Sequence, residues 1–212
     1  MNYVYEGLIE LITNCDDAYD KAKFTEKKID IICDYSKNKV IVRDQAIGLT
    51  CDEMIKCFLQ VGEYTSSKES RGFFSRGSKD ISALGNVTFR SIKNNKFSEV
   101  TISTNAEGKV NHVNLDATNK IRNDLQIKEN GLEVSIDIIS SKNIDSPTFL
   151  INRFTKYFSL RKIFSDTSTK IKLEVKNFKH DKYNKIYDLT YSFPKGIMIL
   201  YLTYSLPSYP DA

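Results

Sequence analysis

The stretch that decides the fold is Glu10-Leu-Ile-Thr-Asn14-Cys-Asp-Asp17-Ala18. It lies within residues 3–23, where Leu8, Leu11, Ile12, Cys15, Ala18 and Tyr19 recur at three- and four-residue spacing. That periodicity predicts an amphipathic helix with one apolar face. Glu10, Asn14 and Asp17 fall at i, i+4 and i+7 and share another face. Such a trio is often only a solvated polar face, but its chemistry also suits a binding role. The amide of Asn14 offers a neutral carbonyl oxygen of the kind Mg2+ takes while keeping several of its waters. A carboxylate one turn earlier, Glu10, can polarise a water against a phosphate. A carboxylate one turn later, Asp17, can order solvent or base contacts. Asparagine is a poor former of helix interiors, so Asn14 in mid-helix suggests a use beyond propensity.

Working outward, residues 27–33 and 40–43 read as strands joined by a polar turn at 34–39. Asp44 follows the second strand in Ile41-Val-Arg-Asp44-Gln-Ala-Ile47-Gly48. An aspartate at a strand end can accept a hydrogen bond from an exocyclic amine such as adenine N6, and charged acceptors make strong bonds. Gly48 would let the backbone approach a flat base closely. The plainer alternative is a strand-to-helix turn capped by Asp44. Thr50 or Asp52 would start a helix over 53–59. Residues 60–78 are small and polar without periodicity, and predict a loop. Its end, Arg71-Gly72-Phe-Phe74-Ser75-Arg76-Gly77-Ser78-Lys79-Asp80, combines glycines and cations ahead of a helix predicted over 77–84 and ended by Gly85. Glycines and helix N-terminal amides suit a phosphate. The segment is neither a Walker A loop nor a GxGxxG fingerprint.

From Asn86 the pattern alternates, predicting antiparallel strands over 87–92, 97–103, 109–115 and 132–138. Asp145 or Ser146 before Pro147 is a helix start. That helix would run to Leu160 and bury Phe149, Leu150, Phe154, Tyr157 and Phe158. Residues 168–175 read as another strand. Strands segregated from helices predict an α+β fold, a two-layer α/β sandwich with a mixed, mainly antiparallel sheet. After residue 178 the register changes, with strands expected at 186–193 and 196–206. The expected organisation is one domain over 1–177 and the beginning of a second over 178–212.

Composition narrows the class. The chain has 212 residues, 41% hydrophobic and 27% charged, which is ordinary for a soluble domain with a real core. Its net charge of +4 permits a nucleic-acid partner without arguing for one, because the basic residues are scattered. Cys15, Cys33, Cys51 and Cys57 form no CxxC pair, and His112 and His180 are the only histidines, so no zinc spacing is present. Four reduced, mostly buried thiols and the lack of a signal peptide fit a cytoplasmic protein. The most apolar late stretch, 196–202, is too short to span a bilayer, so no membrane partner is expected.

Taken together, the helix, the aspartate turn and the glycine-containing loop resemble, in order and spacing, the GHKL superfamily with its Bergerat fold. That group holds gyrase-type ATPases, the large heat-shock chaperones, MutL-type repair ATPases, MORC proteins and histidine kinases. Glu10 to Ala18 resembles its N-box, E-x-x-x-N-x-x-D-A, at every specified position. The resemblance implies ATP and Mg2+ as cofactors, Asn14 as the metal ligand, Glu10 as general base, and Asp17 and Ala18 in the nucleotide pocket. Asp44 to Gly48 resembles the DxGxG box, which implies adenine on Asp44 beside Ile47 and Gly48; Ala46 stands at the first glycine. Gly72 to Gly77 resembles the GxxGxG lid box, with Ser75 at the middle glycine. Gly72, Phe74, Ser75, Arg76, Gly77, Ser78 and Lys79 would then wrap the phosphates. Asn130-Gly131-Leu132-Glu133-Val134 resembles the late G-T-x-V strand, with Leu132 at the threonine. The implied function is slow ATP hydrolysis that closes a lid and gates a homodimeric clamp, and residues 178–212 would begin a transducer-like domain. The lid and tail look most like MORC-related bacterial members. Two alternatives are a nucleotide-binding switch that does not hydrolyse, motivated by Ser75 and Leu132, and a histidine-kinase-like catalytic domain.

Overall fold

The computed structural model describes residues 3–59, 80–160, 169–180, 185–193 and 199–201. Helix α1 spans Val4–Lys21. It is followed by strands β1 (Lys27–Asp34) and β2 (Lys39–Asp44) and by a short helix, α2 (Cys51–Met54). Strands β3 (Gly85–Lys93), β4 (Lys96–Ile102) and β5 (Gly108–Asp116) come next, then helix α3 (Asn119–Leu125) and strand β6 (Gly131–Ile138). Helix α4 (Pro147–Leu160) precedes β7 (Thr169–His180), β8 (Lys185–Phe193) and β9 (Ile199–Tyr201). The strands form one sheet in the order β5-β4-β3-β6-β2-β1-β7-β8-β9. Every neighbouring pair is antiparallel except β1 and β7, which run parallel with Lys27 opposite Thr169 and Asp34 opposite Lys176. The architecture is the expected α+β sandwich. Strands β8 and β9, from the region after residue 178, extend this same sheet.

The alternation that predicts the strands also explains the layering, because successive strand side chains point to opposite faces. Ile29, Ile31 and Cys33 of β1, Val40 and Val42 of β2, and Val134 and Ile136 of β6 are buried with Leu8, Leu11 and Ile12 of α1 and Leu150 and Phe154 of α4 in one core. Each such side chain contributes roughly 1.5–3 kcal/mol of burial. A smaller cluster, Ile92, Phe97, Leu125 and Ile127, sits where α3 covers the end of the sheet.

The other sheet face carries a charge ladder over the central strands. Arg43 of β2 lies opposite Glu133 of β6. Arg90 of β3 lies opposite both Glu133 and Glu99 of β4. Arg43 Nη2 is 2.7 Å from Glu133 Oε2, Arg90 Nη1 is 3.2 Å from Glu133 Oε1, and Arg90 Nε is 2.7 Å from Glu99 Oε2. The Arg43 and Glu133 side chains are only 5% and 4% exposed, so each depends on the other for compensation.

Several expectations change. Thr50 caps helix α2 as expected, its hydroxyl accepting from Glu53 N, but the helix already begins at Cys51 and its continuation over Ile55–Leu59 is a π-helix. Gly85 is no helix cap: it opens β3, where a Cβ would overlap the Asp137 carbonyl of the neighbouring strand. Helix α3 has no counterpart in the expected pattern because its single buried residue, Leu125, leaves no periodicity to read. In α4, Leu150 and Phe154 are buried as expected, but Phe149 is 36% exposed. It turns outward instead against Tyr5 and the Arg153 guanidinium, which lies 4.8 Å from its ring centre.

Replacing Glu133 with alanine should cost about 3–5 kcal/mol, because Arg43 is left buried without its counter-charge. Urea unfolding of the variant measures this, and a loss below about 1 kcal/mol would mean that Arg43 finds water instead.

Candidate functional site

A cavity opens between α1 and the core face of the sheet. Leu11, Asn14, Cys15, Ala18 and Lys21 line it from α1, with Asp44, Ile47, Gly48 and Leu49 from the turn after β2. Phe58 of the π-helix, Phe89 of β3, and Leu132 and Val134 of β6 complete the lining. The wall is apolar apart from Asn14, Asp44, Lys21 and the Cys15 thiol. Asn14, Ala18, Asp44, Ile47, Gly48 and Leu132 are thus brought together from the sequence-predicted set. Glu10 and Asp17 are not among the lining side chains. Gly72, Phe74, Ser75, Arg76, Gly77, Ser78 and Lys79 lie outside the described residues.

Asn14 faces the cavity from mid-helix. Its Oδ1 is buried and has no hydrogen-bond partner among the described residues. An unsatisfied buried oxygen costs free energy, and in a native fold it commonly marks a place where a ligand or ion completes the bonding.

Asp44 ends β2 opposite Ile29, and its side chain is buried. Its Oδ1 accepts from Ala46 N at 2.9 Å and from Leu132 N at 3.3 Å. The Cys15 thiol donates to the same carboxylate. Burial nevertheless dominates and pushes the Asp44 carboxyl up to about 6, while these donors pull it down. Burial likewise raises the Cys15 thiol well above its ordinary range, helped by the charge of Asp44. Cys15 is therefore a neutral donor here and not a nucleophile.

The turn itself is held from two sides. Gly48 has φ +62°, and a Cβ there would overlap the Ile92 carbonyl, so glycine is needed for both conformation and space. Ala46 is buried and lies outside the left-handed region, so the Cβ at this departure from DxGxG is accommodated. Leu132 lacks the hydroxyl that a threonine would bring, but its backbone N–H still reaches Asp44. Leu49 N donates to Ser91 Oγ at 2.6 Å, tying the turn to β3.

Residue patterns did not single out Lys21, Phe58, Phe89 or the Cys15 thiol as site groups. Lys21 was within reach of the spacing argument, since it stands seven residues after Asn14 on the same helix face. Phe58 and Phe89 stack with ring centres 3.9 Å apart and read in sequence as ordinary core. The carboxylates of Asp16, Asp17 and Asp20 also cluster, but Lys27 already supplies a cation there, with Nζ 2.8 Å from Asp16 and 2.6 Å from Asp20. No protein-family model and no curated protein matches the chain. Among the described residues, no helix is long and apolar enough to cross a membrane.

Asp44 gives a pH signature whose sign follows from its raised value. The carboxyl titrates near 6 in the fold against an ordinary 3.8, so folding takes up a proton between those pH values. The cost of the buried ion is absent below pH 3.8, grows as pH rises, and is complete above about 6. It amounts to about 3 kcal/mol. Asp44→Asn should therefore be more stable than wild type at pH 7.5 by up to that amount, with the difference vanishing near pH 4. Denaturant unfolding at both pH values checks this; an equal difference at the two would contradict the buried titration.

Proposed function

We propose that this chain binds ATP with Mg2+ in the α1–sheet cavity and hydrolyses it, as a nucleotide-binding domain of the GHKL type. One observation carries the reading. A buried amide oxygen on Asn14, without a hydrogen-bond partner among the described residues, and a buried carboxylate on Asp44 face one apolar cavity from different elements. An apolar slot with a few convergent polar groups is the usual form of a small-molecule site. Keeping a carboxylate buried there at a cost to stability is the pattern of a functional group rather than a structural one.

Each polar group has a role in this reading. Asp44, ionised above pH 6, accepts a hydrogen bond from the exocyclic amine of the base. The apolar wall of Ile47, Phe89, Leu132 and Val134 takes the ring faces. Asn14 Oδ1 would hold Mg2+, an ion suited to neutral oxygen donors, which when bound would neutralise phosphate charge. Glu10, one turn before Asn14, takes the proton of the attacking water, whose oxygen bonds to the γ-phosphorus as ADP leaves. Lid closure and the gating of a dimeric clamp are the further steps the GHKL resemblance implies.

A second reading has one observation in its favour. Glu10 is not among the side chains lining the cavity, which suits a switch that binds nucleotide without turnover. The two readings separate cleanly in one set of measurements. ATP·Mg2+ at about 100 times its dissociation constant should raise stability by about 2.7 kcal/mol. Asp44→Ala should weaken binding about 10- to 100-fold. Glu10→Ala should keep binding but lower kcat by about 10²–10⁴. Calorimetry and a phosphate-release assay read these effects. No binding by wild type would end the nucleotide reading, and turnover unaffected in Glu10→Ala would end the assigned chemistry.

A further inference from the structure

The peptide between Asp44 and Gln45 is bonded at one end and closely confined at the other. Its N–H, on Gln45, donates to the Tyr19 hydroxyl at 2.7 Å. Its carbonyl, on Asp44, lies so close to Gly131 that a Cβ there would overlap it. The Tyr19 hydroxyl in turn donates to the Lys28 carbonyl of β1 at 2.6 Å. A phenol has one proton to give and lone pairs to receive. Tyr19 uses the proton on β1 and a lone pair on the end of β2, both from α1. Its ring is buried and meets Phe24 edge-on at 5.5 Å, which fixes the direction of the hydroxyl. Burial also pushes the phenol above its ordinary range, so it stays protonated through the neutral range.

The same turn is tied down by the other side chain of that peptide. Gln45 Nε2 donates to the Gln126 carbonyl at 2.8 Å, and Gln45 Oε1 accepts from Lys128 N at 3.1 Å. These two bonds are exposed, whereas the Tyr19 bond is part-buried and acts on the backbone itself. Movement of this peptide away from α1 and β1 would carry the Asp44 Cα with it and draw the carboxylate away from Leu132 N. Tyr19 stands five residues after Asn14, on the helix that carries the other polar end of the site.

We propose that Tyr19 is a positioning residue for Asp44: its hydroxyl clamps the Asp44–Gln45 peptide to α1 and β1 and thereby sets how the carboxylate meets a base. This rests on the nucleotide reading above. It predicts a defect confined to the base end of the ligand.

The test uses the full chain with Tyr19→Phe, assayed well below its melting temperature. Adenosine affinity by calorimetry should fall about tenfold, the scale of weakening one hydrogen bond between the Asp44 carboxylate and the base. In ATP turnover, KM should rise by a similar factor while kcat stays unchanged, the mark of lost uniform binding. A purely structural role would lower the melting temperature and leave adenosine affinity as in wild type, which would overturn the inference. A loss of kcat as large as the change in KM would overturn it too, because the damage would then reach the phosphate end. If wild type binds neither adenosine nor ATP, the nucleotide reading itself has failed; if wild type binds both and Tyr19→Phe binds adenosine equally well, only the present inference has. Hydrogen exchange on wild type gives a check that needs no variant. The Gln45 amide should be strongly protected, and rapid exchange there would contradict the clamp.

Discussion

A carboxylate carried into an apolar cavity must be held by donors, and at Asp44 the donors come from different parts of the chain. Ala46 N lies in its own turn, Leu132 N belongs to β6, and the Cys15 thiol belongs to α1. That set requires β6 to lie beside β2, which it does over Lys39 to Arg43. It also requires α1 to cross the end of β2, which the burial of Leu8, Leu11 and Ile12 against the sheet secures. The layers of the sandwich and the placement of one side chain are therefore one constraint. Burial still pushes the carboxyl to about 6 despite these donors, so the arrangement is held by the rest of the fold and not by local preference.

The opposite sheet face answers to the same strand register. Arg43 immediately precedes Asp44 and points the other way, as strand alternation demands. Its pairing with Glu133 fixes β2 against β6 from outside the core, one residue from the Leu132 amide that Asp44 needs on the inside. A slip by one residue would exchange the two faces and bring Arg43 into the cavity. The ionic ladder contributes register as well as energy, and the cavity depends on that register.

Much of this was legible in the sequence, for reasons that differ by element. Helix α1 announced itself because its apolar residues keep strict spacing over several turns. The strands β3, β4 and β6 announced themselves by alternation. Asn14 stood out because asparagine is a poor former of helix interiors, and Asp44 and Gly48 because they share a short turn directly after a strand. What stayed hidden depends on contacts between distant segments. The Cys15 thiol and the Tyr19 hydroxyl look like core residues until Asp44 and Gln45 are placed beside them. The π-helix at Ile55–Leu59 has no sequence period of its own, and α3 buries too little to show one. Gly85 reads as a helix stop in one dimension and as a close strand approach in three.

The parallel pairing of β1 with β7 also bears on how the chain comes into being. Ile29, Ile31 and Cys33 are made first, and their neighbours Ile171, Leu173 and Val175 come about 140 residues later. At ribosomal speeds that delay is on the order of ten seconds. Throughout it, the outer border of β1 offers open amides and carbonyls to any extended segment nearby. Lys28 and Asp30 along that strand alternate with the apolar residues and blunt the hazard, but cannot remove it. The nascent chain is thus exposed to wrong partners for longest at the strand that later lies beside the central strand β2. Its yield on expression should be governed more by chaperone supply and temperature than by the stability of the finished fold.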